Sequence, residues 1–170
     1  MDSTGYLEVI ALIERLHRQF LEVVKLELEG SRVHDVNNVQ ALMLFNIGDA
    51  EMTVGELTSR GCYLGSNVSY NVSKLAENGY LAADRSEHDR RSVRVRLTDK
   101  GRKLRDVVSA MYQRHFEVLG RTTITQDDLK GATVMLERLE RFWSEASNPI
   151  GAASILQLPR WSEKPKPRAG

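Results

Sequence analysis

The amino-acid sequence predicts a mainly α-helical fold carrying one small β-hairpin, an α+β architecture, and three observations predict it. Apolar residues recur at three- and four-residue intervals over most of the chain, the period of an amphipathic helix. That period breaks once, at Val93-Arg94-Val95-Arg96-Leu97, where apolar and basic residues alternate as they do on a half-buried strand. Ser, Thr or Asn precedes several of the helical stretches and Gly follows them, so the chain divides into separate short elements.

The first element carries Leu7, Ile10, Ile13, Leu16, Phe20, Val23, Val24 and Leu28 as a stripe. Thr4 is its expected cap and Gly30-Ser31 its stop, which gives a helix over 5–29, about 37 Å long at ~1.5 Å per residue. That is more length than one small lobe covers, so part of the stripe is expected to pack against another chain. Asn37 or Asn38 caps a second helix with Val39, Leu42, Met43, Leu44 and Phe45, ending near Gly48. Thr53-Val-Gly-Glu56 has the spacing of a capping box and opens a short third helix. Ser66 or Asn67 caps a fourth, which runs to about Asn78 with Gly79 as its stop. On that helix Val68, Val72 and Leu75 share the buried side, while Asn67, Tyr70, Ser73 and Lys74 point away from it.

Tyr80-Leu81-Ala82-Ala83 is a short apolar run, followed by the polar stretch 84–92 and then the alternating strand, and together they read as a hairpin. Thr98 caps a fifth helix, with Leu104, Val107, Val108, Met111, His115, Val118 and Leu119 as its stripe. A last helix begins at Thr125, capped toward Asp128, with Leu129, Ala132, Thr133, Leu136, Leu139 and Trp143 on one face. Residues 147–170, rich in Pro, Gly, Ala and Lys, read as a flexible tail. Helices two to four followed by the hairpin make a winged helix-turn-helix lobe over 36–97. The stretches 5–30 and 98–146 form a helical region beside it.

Hydrophobic residues at 41% and charged residues at 28% of 170 are ordinary for a folded chain with a core of its own. No apolar run reaches the ~18 residues of a membrane span. The acidic start, Met1 to Tyr6, lacks the basic and apolar regions of a secretory signal, and a cytoplasmic location is expected. The one cysteine, Cys62, allows no internal disulfide, fits a reducing compartment, and is read as a structural residue. The net charge of +1 hides an asymmetry. Residues 1–65 carry five Lys/Arg against ten Asp/Glu, net −5, whereas 66–105 carry ten against five, net +5. A positive region gathered into forty residues suits a polyanion, although an unevenly charged, solvated surface has the same numbers.

The residue types resolve that choice. A helix that reads base edges in the major groove needs hydrogen-bonding side chains, and the fourth helix offers Ser66, Asn67, Tyr70, Ser73 and Lys74. A wing that meets phosphates or a narrow minor groove needs cations, and this one offers Arg85, His88, Arg90, Arg91, Arg94 and Arg96. The expected partner is therefore double-stranded DNA. No Gly-rich phosphate loop, nucleophile elbow or paired-carboxylate motif stands in the sequence, so no enzyme activity and no cofactor is expected. The histidines His17, His34, His88 and His115 have no spacing that preassembles a metal site. An interaction adaptor that docks proteins on a winged helix is the alternative, and the arginine-rich wing argues against it.

Over residues 5–146 the sequence resembles the multiple-antibiotic-resistance-regulator (MarR) family of winged-helix repressors. The resemblance runs through Val39-Gln40-Ala-Leu42, Thr53-Val-Gly-Glu56-Leu57 and Val72-Ser-Lys-Leu75-Ala-Glu-Asn-Gly79-Tyr80-Leu81. It is most specific at Asp89-Arg90-Arg91-Ser-Val93-Arg-Val95-Arg-Leu97-Thr98-Asp-Lys100-Gly101, which resembles the family's wing and the start of the following helix. One departure is the turn Arg60-Gly-Cys-Tyr-Leu-Gly65, longer than the family's usual one. The resemblance implies a homodimer built from the first, fifth and sixth helices that straddles two half-sites. It also implies that Arg91 enters the minor groove and that Asp89 orients it, a pairing their spacing permits. It implies a small-molecule effector in a crevice beside the dimer helices, for which His17, Phe20, Phe45, Tyr112, His115 and Phe116 are the candidates.

Overall fold

Local sequence signals account for most of the observed elements. The computed structural model describes residues 3–61, 65–85 and 93–147. Helix α1 (Ser3–Gly30) is followed by α2 (Asn38–Ile47), β1 (Met52–Thr53), α3 (Val54–Gly61) and α4 (Gly65–Glu77). Then come β2 (Leu81–Arg85), β3 (Val93–Leu97), α5 (Asp99–Leu119) and α6 (Gln126–Ser147). Residues up to Glu117 form one compact unit, and a second begins at Val118. No helix among the described residues is long and apolar enough to cross a membrane.

Of the two candidate caps of α2, the structure uses Asn37. Its side chain accepts from the Gln40 amide at 2.9 Å, and the Gln40 side chain accepts from the Asn37 amide at 3.1 Å. Asn38 faces the other way and donates to the Leu21 carbonyl of α1 at 2.9 Å. Thr53 and Glu56 form the expected reciprocal pair at the head of α3, with Thr53 N donating to Glu56 at 2.6 Å and Glu56 N to Thr53 Oγ1 at 3.1 Å. Thr125 and Asp128 repeat the device at α6. Each satisfies backbone donors that a helix start otherwise leaves without partners, a contribution of ~1 kcal/mol.

Two boundaries differ from expectation. Thr4 lies inside α1, and Ser66 and Asn67 lie inside α4 rather than ahead of it. The first four amides of a helix have no intrahelical partner, so small polar residues sit as well in the first turn as just before it. α1 stops at Gly30 as expected, and Arg32 closes the turn that follows. Arg32 takes a positive φ of 57°, and the Val33 amide reaches back to the Leu28 carbonyl at 2.9 Å. The end of α4 follows the sequence: Gly79 has φ 75°, and the Tyr80 amide bonds the Leu75 carbonyl at 2.8 Å.

The sheet is antiparallel with order β1-β3-β2. Leu81 faces Leu97, Ala83 faces Val95 and Arg85 faces Val93, so Val95 and Leu97 turn inward while Arg94 and Arg96 turn to solvent. The alternating period had indicated this division. β1 was not expected. It consists of Met52 and Thr53, paired with Val95 and Arg94, and two residues are too few to show a period.

The core draws on every element of the first unit. Val24 and Leu28 come from α1, Met43, Leu44 and Ile47 from α2, and Leu57 from α3. Val68, Val72 and Leu75 come from α4, Val95 and Leu97 from β3, and Leu104, Val108 and Met111 from α5. Each such side chain contributes roughly 1.5–3 kcal/mol relative to exposure. The core therefore reaches into parts of the helical region as well as the winged lobe. In the second unit α6 buries none of its residues.

Candidate nucleic-acid interface

α4 owes its orientation to one apolar edge. Val68 and Leu75 are fully buried and Val72 nearly so, which leaves the opposite edge to solvent. On that edge Asn67, Ser69, Tyr70 and Ser73 are exposed, Tyr70 at 62%. Lys74 is half-buried and bonds Glu77 one turn on at 2.6 Å, and this bond holds the ammonium pKa above its usual value. The four outward residues named from the sequence, Asn67, Tyr70, Ser73 and Lys74, thus share one face. Ser66 is placed by its backbone in the first turn of α4.

Beside α4 stands the hairpin, and its two described cations on β3 are both exposed. Arg94 lies 3.9 Å from Glu51, and Arg96 lies 3.8 Å from Asp84 on the neighbouring strand. These pairs are solvent-exposed and worth little by themselves. Arg85 is placed by its backbone at the end of β2. His88, Asp89, Arg90 and Arg91 lie outside the described residues, as do Cys62, Tyr63 and the tail from 148.

Three connections anchor α4 and the hairpin to the rest of the unit. Thr98, between β3 and α5, donates through its hydroxyl to the Gly79 carbonyl at 2.7 Å and through its amide to the Tyr80 carbonyl at 3.1 Å. Asp35, in the turn between α1 and α2, accepts from the Tyr80 hydroxyl at 2.7 Å and from Lys100 at 2.8 Å. The Lys100 ammonium also lies 4.0 Å above the Tyr80 ring. The hydrogen bonds from Lys100 and then from Tyr80 hold the Asp35 carboxyl below its ordinary range. The third connection is a buried polar pair, Gln40 on α2 with Asn71 on α4 at 3.0 Å. Sequence reasoning missed it, although at about 100° per residue Asn71 lies only about 60° from Val68, on the apolar side of the helix.

Of the six candidate crevice residues, the structure joins three. The Tyr112 ring lies 6.1 Å from Phe20, stacked, and 4.9 Å from Phe45, tilted, and all three are half-buried against the core. His17, His115 and Phe116 are exposed. A cavity of about 500 Å³ sits elsewhere, between α3, α4 and the sheet, with Thr53, Ser69, Val72, Ser73 and Val93 in its lining. Among the described residues no group of three or more His, Cys, Asp or Glu side chains could hold a metal ion.

A helix-turn-helix with a polar exposed second helix, flanked by a hairpin bearing arginines, defines a winged-helix DNA-binding regulator of transcription. Residues 36–101 match the family model described as a winged helix DNA-binding domain. The chain is 37% identical over 142 residues to the exopolysaccharide II synthesis transcriptional activator ExpG of Rhizobium meliloti, covering 84% of this chain and 73% of that one. Its fold is that of Streptococcus pneumoniae FabT, solved in complex with DNA (TM-score 0.66, 22% identity, 82% of this chain and 98% of that one). It is also that of Staphylococcus aureus MarR, solved with salicylate and kanamycin (TM-score 0.68, 21% identity, 84% and 95%). The chain belongs to the MarR family of winged-helix transcription regulators.

Proposed function

We propose that the protein acts as a homodimer that binds a pseudo-palindromic operator, with α4 in the major groove and the wing in the minor groove. The observation that carries this is the exposed edge of α4, where Asn67, Tyr70 and Ser73 stand together on a helix that packs against β2 of the hairpin. Ser66, Asn67, Tyr70, Ser73 and Lys74 are the candidates for base edges and adjacent phosphates. Arg85, Arg90 and Arg91 serve the backbone and minor groove, with Asp89 orienting Arg91.

Two features support the dimer. The apolar residues of α1 fall on two faces: Phe20, Val24 and Leu28 pack on the core, whereas Leu12, Leu16, Val23 and Leu26 stay exposed. α6 likewise exposes Leu129, Met135, Leu136, Phe142 and Trp143. Apolar surface of that extent on a water-soluble regulator calls for a partner, and a second copy supplies the same faces by symmetry. The regulator is read as a repressor or dual regulator that responds to a small-molecule effector at the Phe20–Phe45–Tyr112 cluster, and the salicylate bound to Staphylococcus aureus MarR is consistent with such ligands. A cytoplasmic location and the absence of enzyme activity follow from the same reading.

Selection of bound duplexes from random DNA, followed by sequencing, tests the proposal. The expected yield is an imperfect palindrome with half-sites about one helical turn apart. Binding that neither enriches a sequence nor weakens with salt would instead favour the adaptor.

A further inference from the structure

The apolar edge of α4 holds the helix against the core without fixing its rotation. Val68, Val72 and Leu75 are aliphatic, and aliphatic packing has no direction. A turn of the helix by a few tens of degrees exchanges one set of such contacts for a similar one. A hydrogen bond does have direction, and a buried one is costly to break. The buried polar side chains of the described core are Gln40 and Asn71, and they meet each other.

Both ends of this pair are tied. Gln40 uses its oxygen to accept from the Asn37 amide at the cap of α2, which aims its nitrogen at Asn71. Asn71 accepts that nitrogen at 3.0 Å and donates its own to the Asn67 carbonyl, one turn back, at 2.9 Å. The chain of bonds thus runs from the start of α2 to the first turn of α4, where Asn67 faces outward.

We infer that Gln40 and Asn71 are positioning residues for sequence recognition, setting the rotation of α4 and hence which base edges Asn67, Tyr70 and Ser73 meet. They touch no DNA. Their effect falls on discrimination between sequences rather than on affinity for DNA at large, because phosphate contacts tolerate a rotated helix and base contacts do not. The inference rests on the DNA-reading proposal for its consequence, but the pinning of α4 is measurable without DNA.

The double variant Gln40→Met/Asn71→Leu replaces both partners with apolar groups of similar shape, a change that buried polar pairs commonly tolerate. Three readouts are taken on the full-length protein: the melting midpoint, amide exchange over α4, and affinities for a duplex selected by the wild type and for random duplex. We expect a midpoint close to the wild type's and faster exchange in α4. The ratio of selected to random affinity should fall by about tenfold, the worth of one good base contact, with random-duplex affinity unchanged. Asn71→Ala, assayed well below its own midpoint, should lower the ratio in the same way. An unchanged ratio at an unchanged midpoint would overturn the inference. So would a double variant that fails to fold, since the pair would then serve stability alone. If the wild type selected no sequence, the DNA-reading proposal would fall, and unchanged α4 exchange would then overturn the pinning as well.

Discussion

Replacing Gly101 with alanine should destabilise the protein, although helix propensity alone predicts the opposite. Gly101 is the third residue of α5, and alanine in a helix is favoured over glycine by about 1 kcal/mol. A Cβ at this position, however, would stand 2.2 Å from the Tyr80 carbonyl oxygen, 3.2 Å from its carbon and 3.4 Å from Leu97 Cβ. Ordinary contact needs roughly 3.5 Å or more, so one element must retreat by about 1 Å. The obstacle is backbone, and it cannot swing aside as a side chain would. The Tyr80 carbonyl accepts from the Thr98 amide at 3.1 Å, and moving the carbonyl away from Gly101 disturbs that bond. Overpacking of this kind costs typically 1–3 kcal/mol, and a pinned backbone places the cost near the top of the range. Set against the gain in propensity, the net loss is about 2 kcal/mol. In urea, at a slope of ~2 kcal/mol/M, the midpoint should fall by about 1 M with the slope unchanged. Gly55→Ala is the matched control. It also lies in the first turn of a helix, α3, but its Cβ would meet nothing closer than Thr53 Oγ1 at 3.8 Å, so its midpoint should hold or rise. A Gly101→Ala protein as stable as the wild type would refute the close approach of α5 to Tyr80.

The Asp35–Tyr80–Lys100 connection gives stability a pH dependence at both ends. The Asp35 pKa is lowered on folding, so its contribution is present above the unfolded carboxylate pKa and is lost as pH falls through the folded one. The Lys100 pKa is raised, chiefly by its bond to Asp35, so that contribution is lost as pH rises through the folded value. Asp35→Asn should flatten the acid limb in urea titrations taken at a series of pH values, and an acid limb identical to the wild type's would count against the connection. Arg91→Ala should weaken binding to selected and random duplexes alike and reduce the log–log salt slope by about one, whereas Asn67→Ala or Ser73→Ala should cost about 1–3 kcal/mol on the selected duplex only. Titrations at several salt concentrations separate the two, and an unchanged affinity and slope for Arg91→Ala would remove it from the minor groove. Leu16→Glu, on the exposed face of α1, should shift sedimentation at low micromolar concentration from dimer to monomer, and a wild type that sediments as a monomer would end the dimer proposal.

What the sequence determined by itself was whatever acts over a few residues. The 3.6-residue period placed the helices, and the alternation of Val93 to Leu97 placed β3. The Thr53–Glu56 and Thr125–Asp128 caps and the Gly79 stop marked their ends. The buried edge of α4 at Val68, Val72 and Leu75, and hence the outward face with Asn67, Tyr70 and Ser73, followed from the same period. These signals are local because helix hydrogen bonds, caps and turns join residues within about five positions of each other. Tertiary structure decided the rest. It paired the two-residue β1 with β3. It divided the apolar residues of α1 between core and solvent, and it turned Asn71, polar by type, into the buried partner of Gln40 thirty-one positions away. Each of these depends on which distant element arrives alongside. A side chain's own chemistry states what it can bond, but only the packing of remote segments determines which partner is within reach.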